Sequence, residues 1–182
     1  MKTPLKSILI TGMLAVTTLC SIVWFSCNRD KCKTIVCANH GVCNYGVCVC
    51  QSGYQGSNCE TVSRLKFIGN WSVFEKGTVT NSAQYPISIE PSNTITDVVI
   101  KNFYNYFQHS IKGYVIHDTL YIPNQQLEGK IVFGTGYITS NNTYGQYGTI
   151  LMNYEVIDTA TNIPNDFGFY GPDLSEVSTW NK

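Results

Sequence analysis

Hydrophobic positions along this chain follow three successive patterns. The first is a continuous run: after Lys2 and Lys6, apolar residues dominate from Ile8 to Phe25. The second has little apolar period, and its regular feature is cysteine, spaced C-x4-C-x5-C-x4-C-x-C-x8-C from Cys32 to Cys59. The third begins beyond Arg64 and has a period of two. Tyr85, Ile87 and Ile89 alternate with Pro86, Ser88 and Glu90, and Ile150, Met152, Tyr154 and Val156 alternate with Leu151, Asn153 and Glu155. Such alternation places one face of a strand in a core and the other in water.

The alternation predicts strands near 67–75, 84–90, 95–103, 109–117, 119–123, 130–139 and 146–157. Turn residues separate them: Pro91-Ser92-Asn93, His117-Asp118, Asn124, Asn141-Asn142 and Asp158. No stretch sustains a helical apolar stripe over three turns. Short connections favour an antiparallel meander, and closing it into a barrel would remove exposed sheet edges. The expected fold class is mainly β, with a small disulfide-rich module over 28–60, a polar link from Glu60 to Arg64, and an antiparallel barrel or meander over 65–158. The stretch 159–182 carries Pro164, Pro172 and several glycines without periodicity. It reads as an irregular tail whose Phe167, Phe169 and Trp180 dock on the barrel.

Composition sharpens this division. All eight cysteines of the 182 residues lie between Cys20 and Cys59, so the two regions are stabilised by different means. Twelve basic side chains balance twelve acidic ones and form no stripe, which gives no electrostatic footprint for nucleic acid.

Around the last cysteines, Gly53-Tyr54 follows Cys50 by three residues and Gly56 precedes Cys59 by three, while Asn39-His40-Gly41 precedes Cys43. Together with the C-x-C pair these features resemble the EGF family. Spacing alone cannot choose among the possible pairings of six cysteines. The resemblance implies Cys32–Cys43, Cys37–Cys48 and Cys50–Cys59. So short a segment cannot bury enough apolar surface to fold unaided, and each bridge is worth about 2–3 kcal/mol in the chain-entropy model. Calcium-binding members carry an acidic run before the first cysteine. Here the run is Asn28-Arg29-Asp30-Lys31, with Lys31 in a ligand's place, so no calcium is expected. Zinc is not expected either, because only His40 could join the thiols and no C-x2-C pair exists. No cofactor is expected.

Residues 1–27 read as an export signal. Trp24-Phe25-Ser26-Cys27 resembles a lipobox, with Trp24 in place of the usual leucine. The resemblance implies cleavage before Cys27 and its lipidation, whose several acyl chains would anchor the protein stably. The alternative is an uncleaved transmembrane helix over 8–25. Either way the protein is expected in the cell envelope, membrane-anchored, on the periplasmic or cell-surface side, as the disulfides also require.

Gly69-Asn70-Trp71, within Phe67-Ile68-Gly69-Asn70-Trp71-Ser72-Val73, is similar to the G-x-W opening of lipocalin-like barrels, which implies that Trp71 closes a barrel floor. The later lipocalin motifs have no clear counterpart. The arrangement as a whole, with Val99-Ile100-Lys101-Asn102-Phe103 and Ile122-Pro123-Asn124-Gln125-Gln126, resembles bacterial lipoproteins that join one EGF-like module to a lipocalin-like domain.

Candidate chemistry is sparse. His109, His117 and Asp118 would need to share one end of the sheet to form a catalytic group. Gly134-Thr135-Gly136 lacks the following helix that a phosphate loop needs, and fits a bulge or a close contact inside the barrel. Phe103, Tyr104, Tyr106 and Phe107 suit either a core or a pocket wall. The expected function is non-catalytic: the EGF-like module serves as a spacer, and the β domain binds or adheres to an unknown protein or glycan. The alternative is a lipocalin-like carrier of a small apolar ligand. For anchoring, radiolabelled fatty acid should enter the wild-type protein and be absent from Cys27→Ala; label retained by the variant would refute lipidation at that cysteine.

Overall fold

A computed structural model describes residues 31–171 and 177–182. The apolar run 8–25 and Cys27 lie outside the described residues.

The cysteine module is built on a hairpin, β1 (Val42–Asn44) with β2 (Val47–Val49), and a second short pair, β3 (Tyr54–Gln55) with β4 (Thr61–Val62). Disulfides Cys32–Cys43, Cys37–Cys48 and Cys50–Cys59 cross-link it, with Cα separations of 5.8, 5.7 and 5.2 Å. The expected polar link is itself ordered. β-Branched Thr61 and Val62 pair with Gln55 and Tyr54, and Ser63–Lys66 then form a 3-10 turn that leads directly into the barrel.

The barrel strands are β5 (Gly69–Glu75), β6 (Ala83–Pro91), β7 (Asp97–Lys101), β8 (Ile111–Ile116), β9 (Thr119–Leu127), β10 (Lys130–Asn141), β11 (Gly145–Asp158), β12 (Pro164–Phe167) and β13 (Ser178–Asn181). Strands β5 to β11 pair antiparallel in sequence order. β13 then lies between β11 and β5, with Trp180 opposite both Ile150 and Val73, so that eight strands close. β12 pairs with the far half of β11 through Glu155 and Asp166. The stretch 159–182 therefore contains two strands where an irregular tail is expected. Each is only four residues long, too short for a periodic signal, and its stability comes from partners distant in sequence.

The expected strand 119–123 runs on to Leu127. Between Val132 and Gly134 the register with β9 shifts, and the β9 bulge houses Pro123, which has no N–H to give a ladder. Gly134 and Gly136 keep β10 tight against β11: a Cβ would sit 2.4 Å from the Tyr154 Cβ at the first and 2.6 Å from the Met152 Sδ at the second. The expected strand 95–103 stops instead at Lys101. Asn102 turns left-handed (φ 58°), which drops Phe103 into the barrel.

Inward positions are filled. Trp71, Tyr154, Trp180, Phe103 and Met152 are each at most 2 % exposed. At the floor, the Trp71 Nε1 donates to the Phe67 carbonyl at 2.7 Å, and the Lys182 ammonium lies 4.6 Å from the Trp71 ring centroid. The cysteine module abuts this same end. The Arg64 guanidinium donates to the carbonyls of Ser92 (3.2 Å), Asp97 (2.9 Å) and Thr94 in the β6–β7 turn. Gly53 packs so closely on Ile95 that a Cβ there would lie 2.6 Å from its Cγ2.

Trp180→Ala should destabilise the barrel by about 3–5 kcal/mol, as loss of a buried Trp does. Tyr137→Ala, at an exposed site, should change stability by no more than about 0.5 kcal/mol. Denaturant unfolding with the disulfides intact compares the two, and equal costs would show that the β13 contacts do not hold the barrel shut.

Candidate functional site

Two parts of the surface have the composition of binding sites. The first is on the cysteine module. Its small interior is taken up by the bridges, so apolar side chains are left outside. Val42 (67 % exposed) and Val49 (55 %) pair across β1 and β2, with Val47, Tyr45 and Val36 also exposed nearby in the module. A cluster of exposed large hydrophobics on a small module is a mark of a contact surface.

The second is the barrel mouth, at the end away from the module. Along β5 the inward positions are Trp71, Val73 and Glu75, so the alternation that buries a Trp at the floor buries a carboxylate at the mouth. Glu75 is 8 % exposed. Its Oε1 accepts the Tyr85 hydroxyl at 2.5 Å, and its Oε2 accepts those of Tyr154 and Ser178, both at 2.7 Å. The Ser178 hydroxyl in turn accepts the Trp180 Nε1 at 2.8 Å. Burial pushes the Glu75 carboxyl above its ordinary range; the three hydroxyl donors pull the other way and are outweighed. Burial and then the neighbouring Glu75 charge push the Tyr85 hydroxyl up, and burial does the same to Tyr154.

Beside this carboxylate is a cavity of about 260 Å³ walled by Thr80, Asn81, Tyr85, Tyr104 and Tyr106. Tyr104 also borders a neighbouring cavity of about 320 Å³ that includes Lys130, Asp158 and Asn165. The segment carrying the two tyrosines is held in unusual backbone: Asn102, Tyr104 and Asn105 have φ of 58°, 59° and 46°. Such left-handed non-glycine residues persist only where their surroundings enforce them. Asn102 Nδ2 donates to the Pro86 carbonyl at 2.8 Å. The Glu128 carboxylate accepts the backbone N–H of Gln108 (3.0 Å) and of His109 (2.8 Å), and these bonds with the His109 ring hold its carboxyl below the usual range.

Of the aromatic cluster expected to serve as core or pocket wall, Phe103 and Phe107 are core, while Tyr104 and Tyr106 line the mouth. His109 and His117 are not brought together. His109 bonds Glu128 at the mouth, and His117 lies at the floor turn after β8, about 20 Å of strand away. Asp118 pairs with Lys66. Among the described residues no group of three or more His, Cys, Asp or Glu is placed to hold a metal ion. Glu75 escaped the sequence reading; its one signal was an acid in phase with Trp71 and Val73.

Comparison with known proteins places a teneurin-like EGF domain at residues 35–62. A stretch of 24 residues is 62 % identical to a substrate-adhesion molecule of Dictyostelium discoideum, covering 13 % of this chain and 2 % of that protein. The chain thus spans a very small part of that relative's length. The match at residues 35–62 falls on the EGF-like module cross-linked by the three disulfides, the first of which begins at Cys32, and the barrel follows it.

The raised Glu75 carboxyl fixes the sign of a pH effect. The folded state holds this proton more tightly than the unfolded chain. The resulting stabilisation is complete below the ordinary value of 4.5 and is lost as pH rises through the raised one. Unfolding free energy should therefore fall over that window in the wild type and fall less in Glu75→Gln. Denaturant titrations at successive pH values test this, and parallel curves would contradict it.

Proposed function

We propose that this is an exported, membrane-anchored envelope protein with a structural and adhesive role and no catalytic activity. The EGF-like module is the fixed connector and contact surface, and the barrel is the binding domain it presents. The observation that carries this reading is the direct junction at the barrel floor. The Arg64 guanidinium is held by three carbonyls of the β6–β7 turn, and the module's hairpin keeps Val42 and Val49 in solvent. A module serving only as a flexible spacer needs neither. Adhesion is also the property named for the Dictyostelium protein that matches 24 residues of this chain.

Anchoring rests on the sequence alone, through the lipobox-like Trp24-Phe25-Ser26-Cys27 and the resemblance to bacterial lipoproteins. Among the described residues no helix is long and apolar enough to cross a membrane. A carrier of a small apolar ligand has less support, since aromatic side chains fill the barrel axis where such a ligand would sit.

Cells displaying the full-length chain should be retained under flow on a polystyrene surface and on a lawn of the same cells. Val42→Glu with Val49→Glu should reduce retention to the level of cells lacking the protein. Both sites are exposed, so the fold should survive. Undiminished retention by the double variant would remove the module as the adhesive surface.

A further inference from the structure

We infer that the cavity at the barrel mouth, with the Glu75 carboxylate at its base and Tyr85, Tyr104 and Tyr106 on its walls, is a binding site for a small organic ammonium group. This does not depend on adhesion by the EGF-like module, which lies at the other end of the barrel.

The first argument is the missing counter-charge. A carboxylate that leaves water needs compensation for the charge as well as for its lone pairs. Three hydroxyls, from β6, β11 and β13, satisfy three of about four lone-pair positions. None of them brings a positive charge, and no Lys, Arg or His is among the partners of Glu75 within the described residues. With no cation beside it, Glu75 meets this cost by holding its proton more tightly, and an ammonium ion in the adjoining cavity would take that proton's place as the compensating charge.

The second argument is the walls. Tyr104 and Tyr106 stand with ring centroids 6.4 Å apart at 56°, and Tyr85 completes a third side. Ring faces attract cations, most strongly where water is excluded. The Lys130 ammonium, 4.6 Å from the Tyr106 ring centroid, is already paired with the Asp158 carboxylate at 3.1 Å and so leaves Glu75 without a cation of its own. Asn102 is tied to Pro86, the Tyr106 hydroxyl donates to the Glu128 carbonyl at 3.3 Å and the Tyr104 hydroxyl accepts the Asn165 Nδ2 at 3.0 Å, so the segment and both rings have partners before any ligand arrives.

Size and donor set narrow the ligand further. At about 260 Å³ the cavity lies below the usual range for drug-sized molecules, about 300–1,000 Å³, so it suits a headgroup or small amine. One carboxylate is too few ligands for a metal ion, and no cluster of three metal-ligating side chains forms here. Protons compete for the same carboxylate. The groups facing it are the hydroxyls of Tyr85, Tyr154 and Ser178, with Tyr104 beyond Tyr85.

Calorimetry on the full-length chain would use choline, ethanolamine and 3,3-dimethyl-1-butanol, the uncharged counterpart of choline. Choline or ethanolamine should bind one molecule per chain, at least about tenfold more tightly than the alcohol. Binding should strengthen as pH rises through the raised range of the Glu75 carboxyl and it loses its proton. Glu75→Gln should abolish binding with the near-UV dichroism unchanged, and Tyr106→Ala, at the exposed rim, should weaken it severalfold. Absence of binding by both cations, equal binding of the alcohol, or full affinity in a folded Glu75→Gln protein would each overturn the inference. If Glu75→Gln does not fold, the Tyr106→Ala result decides, and unchanged affinity there is equally fatal.

Discussion

A sheet that curls on itself must find partners for the outer edges of its first and last strands, and here everything rests on how that gap is closed. β5 and β11 do not meet. Ser178–Asn181 fills the space between them near the floor, and Pro164–Phe167 lies along the other half of β11, so residues far apart in sequence share one slot. Closing it satisfies the backbone groups that an open edge would offer to other chains. It also brings Trp180 and Ser178 inward, where the first meets Phe103 and the second meets Glu75.

The two halves of the molecule hold themselves together by different physics. In the module, covalent loops replace a core that is too small to suffice, and apolar side chains are left in water. In the barrel no cysteine is needed, because closure buries a continuous set of large side chains. Near its mouth the hydrophobic interior gives way to a polar cluster. Glu75 there ties β5 to β6, β11 and β13 through three hydroxyls, in the region where the axis first opens to solvent.

Much of this was legible in the residues. Strict alternation marked β6 and β11, whose partners are close in sequence, and the family-like spacing marked the module. What stayed hidden depended on contacts that no local pattern records. β13 contributes a single large apolar residue, Trp180, and is a strand only because Val73 and Ile150 flank it. Pro123 and Asn124 look like the end of a strand and are a bulge within one. The same is true of the mouth. An acid following Trp71 and Val73 in phase was visible, but the hydroxyls that donate to it come from three other strands. Tyr104 and Tyr106 were visible as aromatics, while their separation from the buried Phe103 and Phe107 arises from left-handed backbone at Asn102 and Tyr104.

The position of Lys182 has a consequence for orientation. Its backbone N–H bonds the Gly148 carbonyl, and its ammonium donates to the Lys66 carbonyl beside the 3-10 turn by which the chain enters the barrel. Entry and exit therefore share the floor. Any tether attached through either side of the barrel pulls on that one end, and the rim with Glu75 and its tyrosines is turned away from whatever the tether holds. Floor and rim thus divide the work: one end carries the covalent connections and the other is left clear of them.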